Sequence, residues 1–147
     1  MELEKNFFDL QAEPVAAIGS SSYFVWRAEK ELKRAERYLS FVSLITFECV
    51  PVNGIWNEKL KVKAGEIVES CIRETDLVGI SDSNGIAVLL METPCRGAEK
   101  AAERIAAQLT ELCLKEKGKN ELGIKVHSFP EDPQGKENFL SALEKLR

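Results

Sequence analysis

The chain has 147 residues, 44% of them apolar and 30% charged, with a formal net charge of −4. That length suits one domain with room for a short appendage. The balance is that of a globular protein and excludes a disordered tail, a collagen-like chain or a disulfide scaffold. The longest apolar runs, Phe41 to Phe47 and Ile86 to Met91, are too short to span a bilayer, and no secretory signal is expected. Cys49, Cys71, Cys95 and Cys113 show no C-x-x-C spacing and there is a single histidine, His127, which argues against a zinc site. Each cysteine lies in or beside an apolar segment and reads as a reduced thiol of a cytoplasmic protein. No basic block stands out, so nucleic-acid binding is not expected. There are 20 glutamates but only four aspartates, Asp9, Asp76, Asp82 and Asp132, so each aspartate is a candidate for a specific role.

Residues 1–20 read as a lead-in or linker broken by Pro14 and Gly19, and residues 21–147 as the domain. The Ser20-Ser21-Ser22 cluster offers an N-cap, and Phe24, Val25, Ala28, Leu32 and Ala35 recur at helical spacing, predicting a helix to about Tyr38. The basic residues on its other faces, Arg27, Lys30, Lys33, Arg34 and Arg37, read as a solvated surface. Phe41 to Val50 has the β-branched and aromatic content of a buried strand. Asn57 to Glu74 reads as a helix, and Asp76 to Ser81 and Ile86 to Met91 as two short strands. Asn84-Gly85 between them is a strong hairpin signal, because both residues tolerate positive φ. After Pro94 comes a long helix, from about Gly97 to Lys117, then a strand over Leu122 to Phe129 and a terminal helix over Asn138 to Arg147. Without its flanks the order is β-α-β-β-α-β, a ferredoxin-like α+β unit: an antiparallel sheet with its two core helices on one face.

This order resembles the GGDEF domain, the catalytic module of bacterial diguanylate cyclases, from about Phe24 to the C-terminus. The segment Arg73-Glu-Thr-Asp76, five further residues to Ser81, then Asp82-Ser83-Asn84-Gly85-Ile86 and the strand Ala-Val-Leu-Leu90 is similar, without a gap, to the family's RxxD, spacer, GGDEF signature and following strand. Glu31 to Tyr38 resembles the family's first helix, and Ser128-Phe-Pro-Glu-Asp132 its last core loop. The family's leader motif is not recognisable before Phe24.

The resemblance implies a nucleotidyl-cyclase fold, yet the positions that carry catalysis depart from the pattern. Divalent cations that clamp triphosphate need carboxylates. The family's first-strand aspartate falls here on Glu48, the signature's glycines on Asp82 and Ser83, its acidic third position on Asn84 and its glutamate on Gly85. Losing those ligands removes the charge stabilisation on which phosphoryl transfer depends, so the expectation is a non-enzymatic domain with no catalytic residue, metal or cofactor.

The RxxD motif is the family's inhibitory site for cyclic di-GMP. The resemblance carries that site onto Arg73 and Asp76, with Arg104 on the following helix as the second arginine. A regulatory, cytoplasmic cyclic di-GMP receptor is therefore the first expectation, with a homodimer or another signalling domain as partner, and neither nucleic acid nor membrane insertion. Two other readings stay open. Arg73 and Asp76 form a local ion pair that caps the loop, and the chain is a protein-interaction or dimerisation module without nucleotide binding. Residual GTP chemistry at Glu48 is the third. His127 reads as a surface or packed histidine, and Trp26 and Trp56 as core or edge residues.

Overall fold

The computed structural model describes residues 21–48, 58–80, 85–114, 123–130 and 135–146. In chain order these form α1 (Ser21–Tyr38), β1 (Val42–Glu48), α2 (Glu58–Glu69), β2 (Leu77–Ile80), β3 (Gly85–Met91), α3 (Cys95–Leu114), β4 (Gly123–Phe129) and α4 (Gly135–Leu146). The strands make one four-stranded sheet in the order β2-β3-β1-β4, and every neighbouring pair is antiparallel. The expected β-α-β-β-α-β unit is therefore present. None of the described helices is long and apolar enough to cross a membrane.

β1 and β3 are buried along most of their length rather than alternating, because the sheet is covered on both faces. Ile45, Phe47, Ile86, Val88 and Leu90 share one face with Ala64 and Val68 of α2 and with Ala98, Ala102, Ile105 and Leu109 of α3. Val42, Leu44, Ala87 and Leu89 share the other with Phe24, Val25, Ala28, Leu32 and Ala35 of α1 and Phe139 and Leu143 of α4. The flanking helices thus close the face that the core helices leave open. α1 approaches β2 closely: a Cβ placed on Gly79 would stand 2.9 Å from the Phe24 ring.

Several boundaries differ from expectation. α2 ends at Glu69, not Glu74. The chain tightens there into i→i+3 bonds, with Cys71 N–H donating to the Val68 carbonyl and the Ser70 hydroxyl to the Ile67 carbonyl. α3 starts two residues early, the Pro94 carbonyl accepting its first bond from Ala98 N–H, and α4 starts at Gly135. Residues 1–20, Cys49, Trp56 and the signature residues Asp82, Ser83 and Asn84 lie outside the described residues.

Candidate functional site

The residues singled out from the sequence separate to opposite ends of the sheet. β1 pairs with β3 from Val42↔Met91 at one end to Glu48↔Gly85 at the other, a span of about 20 Å at roughly 3.4 Å per residue.

At the first end, the Asp76 side chain is only 1% exposed, and both its oxygens are engaged. Oδ2 accepts from the backbone N–H of Arg73 at 3.0 Å and from its Nε at 3.2 Å. Oδ1 accepts from Met91 N–H at 3.0 Å and from Arg73 Nη2 at 3.3 Å. One carboxylate thereby ties the turn before β2 to the end of β3. The Arg73 guanidinium also donates to the Met91 carbonyl, and at 2.8 Å to Thr93 Oγ1. Glu92 between them adopts φ 48°, in the left-handed region, so both neighbours can turn toward Arg73. The Arg73 side chain is nonetheless 58% exposed.

Arg104 reaches the same place from α3, where its Nη2 donates to the Cys71 carbonyl at 3.0 Å. Arg73, Asp76 and Arg104 line one depression of about 220 Å³, with Thr93 and Gly97 in its wall. Arg73 also borders a second hollow of about 340 Å³, whose wall includes Arg27 and Arg34 of α1. Arg27 is tethered there by Glu31 at 3.2 Å and by the Tyr23 hydroxyl at 3.4 Å. Burial opposes its charge, but the Tyr23 and Glu31 contacts outweigh burial and hold its guanidinium above the ordinary value.

Sequence reasoning named Arg73, Asp76 and Arg104, which meet. It did not assign Met91, Thr93, Arg27 or Arg34 to this site. The Met91 contribution is made by backbone and has no side-chain signature. The two arginines are visible in the sequence only as part of a basic helix surface.

At the opposite end, Glu48 is exposed and stands in register between Gly85 and Gly123. A Cβ on Gly123 would lie 3.6 Å from Glu48 Oε1, an ordinary contact. Among the described residues no group of three or more His, Cys, Asp or Glu side chains comes together to hold a metal ion. His127 is half-buried on β4 and borders a cavity of about 280 Å³ with Lys125, Asn138 and Lys145. Trp26, expected in the core or at its edge, is 51% exposed and points away from the sheet. Among the described residues Cys71 and Cys95 form no disulfide, and the Cys95 thiol lies 3.6 Å from Glu99 Oε2.

No family model and no curated protein matches the sequence. Solved structures do match. A DGC protein from Thermotoga maritima superposes with a TM-score of 0.69 at 24% identity, covering 91% of this chain and 98% of that one. The active GGEEF domain of a diguanylate cyclase from Vibrio cholerae gives 0.66 at 16% identity, over 87% of this chain and 90% of that one. The GGDEF domain of DgcB from Caulobacter crescentus, solved in complex with c-di-GMP, gives 0.64 at 10% identity, over 87% and 84%. At these identities the likeness is one of fold: the chain folds as a GGDEF-like domain.

Proposed function

We propose that this chain is a regulatory GGDEF-like domain that binds cyclic di-GMP at the end of the sheet where Arg73, Asp76 and Arg104 meet, and that it does not synthesise the dinucleotide. The observation that carries the reading is the shared depression: two guanidinium groups from different elements converge on it, each held by a backbone carbonyl. Arginine forks of this kind bond guanine O6 and N7 or phosphate oxygens bidentately. Each such charge-assisted bond is worth about 1.5–3 kcal/mol. The Caulobacter domain with the same fold was solved with c-di-GMP bound.

In this reading the residues divide the work. Arg73 and Arg104 touch the ligand. Asp76, with both oxygens engaged by Arg73 and Met91, is a positioning residue that holds the Arg73 fork. A depression of about 220 Å³ is smaller than the roughly 300–1,000 Å³ of a whole-ligand pocket. It accommodates a guanine edge or one phosphate, and the rest of the dinucleotide extends over the hollow that Arg27 and Arg34 border. The lack of cyclase activity is supported by the signature, which reads Asp82-Ser83-Asn84-Gly85-Ile86, and by the longer-stemmed Glu48 at the first-strand position where the family pattern has an aspartate.

Calorimetric titration with cyclic di-GMP, and separately with GTP and magnesium, tests both halves. Micromolar or tighter cyclic di-GMP binding is expected, lost in Arg73→Ala and in Arg104→Ala, with no conversion of GTP. Absence of heat and of any melting shift with cyclic di-GMP overturns the receptor assignment and leaves the Arg73–Asp76 pair as a structural clasp. Metal-dependent GTP cyclisation overturns the second half.

A further inference from the structure

We propose that the outward face of α1 docks on an anionic lipid surface. This inference goes beyond the cyclic di-GMP reading and does not depend on it. The buried residues of α1 are Phe24, Val25, Ala28, Leu32 and Ala35. At about 3.6 residues per turn the stripe diametrically opposite them is Tyr23, Trp26, Lys30, Lys33 and Arg37, and all of these are exposed. Arg34 lies beside the stripe, so that side of the helix presents four cations and two aromatics, with Arg27 and its partner Glu31 at its edge.

The three acids of α1 are Glu29, Glu31 and Glu36, and they fall outside this sector. Glu31 pairs with Arg27 at 3.2 Å, Glu36 pairs with Lys136 of α4 at 2.7 Å, and Glu29 also has a partner. By contrast, no carboxylate among the described residues forms an ion pair with Lys30, Lys33, Arg34 or Arg37. Two of them stand over rings instead: Lys30 Nζ lies 5.0 Å from the Trp26 ring centre, and the Arg37 guanidinium 6.0 Å from that of Tyr38. A protein with net charge −4 thus keeps one face positive, which orients its approach to an anionic surface.

The end of α1 adds an apolar tip. Ser40 N–H bonds back to the Ala35 carbonyl, which places Leu39 at the left-handed position after the helix with φ 55°. Glycine is the residue that position favours. A leucine there is strained, and its side chain is 89% exposed beside Tyr38 at 65%. Phe41 is exposed next to them. An apolar tip, amphipathic rings and cations with no carboxylate ion-pair partner among the described residues follow one another along about 21 Å of helix, beside a hollow that Lys30, Lys33, Arg34 and Arg37 line together with Glu92; this matches the interfacial region of a bilayer, where rings sit at the headgroup level. Each cation near an anionic leaflet strengthens the attraction about fivefold. A second copy is disfavoured as the occupant, because Lys30, Lys33 and Arg37 would meet their own like charges.

The test uses the full chain with Trp56→Phe, which leaves Trp26 as the sole tryptophan. It is mixed with vesicles of phosphatidylcholine, with vesicles of phosphatidylcholine and phosphatidylglycerol in equal parts, and with polyglutamate or single-stranded DNA. Cosedimentation with the anionic vesicles only is expected, with a blue shift of Trp26 emission and loss of both as salt rises. Replacing Lys30→Gln together with Lys33→Gln should weaken partitioning at least about tenfold. Leu39→Gly suits the backbone there, so it should weaken vesicle binding without lowering the melting temperature. No cosedimentation, equal binding to neutral vesicles, or indifference to the lysine pair overturns the proposal. So does an equal emission shift with polyglutamate or DNA, which would reassign the surface to a protein or a nucleic acid.

Discussion

The carboxylate of Asp76 accepts both the backbone N–H and the guanidinium of Arg73, three residues earlier. It also accepts Met91 N–H from the far strand of the hairpin. The pair is therefore asymmetric. Asp76 is buried and structural; Arg73 is majority-exposed and has reach to spare.

That asymmetry separates stability from binding. Asp76→Ala leaves the N–H groups of Arg73 and Met91 without their acceptor in a buried place, a loss of about 2–4 kcal/mol. Arg73→Ala removes a mostly exposed side chain, and the two backbone bonds to Asp76 persist; its cost should be about 1–2 kcal/mol. Urea unfolding of the two variants measures the difference. The expected pattern is a larger stability loss for Asp76→Ala and loss of cyclic di-GMP binding in both. Equal destabilisation would show that the guanidinium, not the backbone pair, holds the turn.

A second polar cluster centres on two buried serines. Ser43 on β1 and Ser128 on β4 face each other in register, and their hydroxyls are 2.8 Å apart. Ser43 Oγ also bonds the Thr93 carbonyl at 2.6 Å. Ser43→Ala strands two partners and should cost about 1–2 kcal/mol. Ser128→Ala strands one and should cost less, because Ser43 retains Thr93. The double variant should lose less than the two single losses added, with a coupling of about 0.5–1 kcal/mol. Additive losses in thermal or chemical unfolding would mean that the hydroxyls do not bond each other.

The element order was readable because hydrophobic period and turn chemistry agree along most of the chain: Phe24 to Ala35 repeats at helical spacing, and the two short strands flank Asn84-Gly85. The end of α2 was less readable. Ser70 to Glu74 keeps a helix-compatible composition, and what stops the helix is a set of hydrogen bonds, including one that Arg73 N–H donates to the side chain of Asp76, six residues beyond Ser70. The RxxD spacing was visible, but the sequence could not show that Asp76 spends its oxygens on backbone. The basic residues of α1 were visible as a surface. That Glu36 turns away to Lys136 follows from tertiary placement, since Lys136 comes a hundred residues after it.

The end of α2 carries an electrostatic mismatch. Glu69 is its last residue and the final turn holds no basic side chain, so a carboxylate sits at the negative end of the helix dipole. Partial burial pushes its carboxyl above the ordinary value of 4.5, and Glu66 adds to the rise. A raised carboxyl disfavours the folded state once it ionises. The penalty is therefore absent below pH 4.5 and develops as pH climbs through the raised value. Glu69→Gln should stabilise the protein at neutral pH by less than about 0.5 kcal/mol, given its exposure. The gain should vanish in acid, and a gain that grows as pH falls would contradict this assignment.

The docking of α1 on the sheet depends on a missing side chain. A Cβ on Gly79 would stand 2.9 Å from two Phe24 ring carbons and 3.0 Å from the Phe24 Cβ, closer than side chains tolerate. Phe24 is 2% exposed and sits among α1, β1, β3 and α4 residues of that core, so the ring has no room to retreat. Gly79→Ala should therefore cost about 1–3 kcal/mol through overpacking. The remedy is specific: Phe24→Leu on its own should destabilise by creating space, yet combined with Gly79→Ala it should recover part of the loss. Denaturation of the two singles and the double measures that coupling. A double variant no better than additive would place the strain of Gly79→Ala in the β2 backbone and not against the ring.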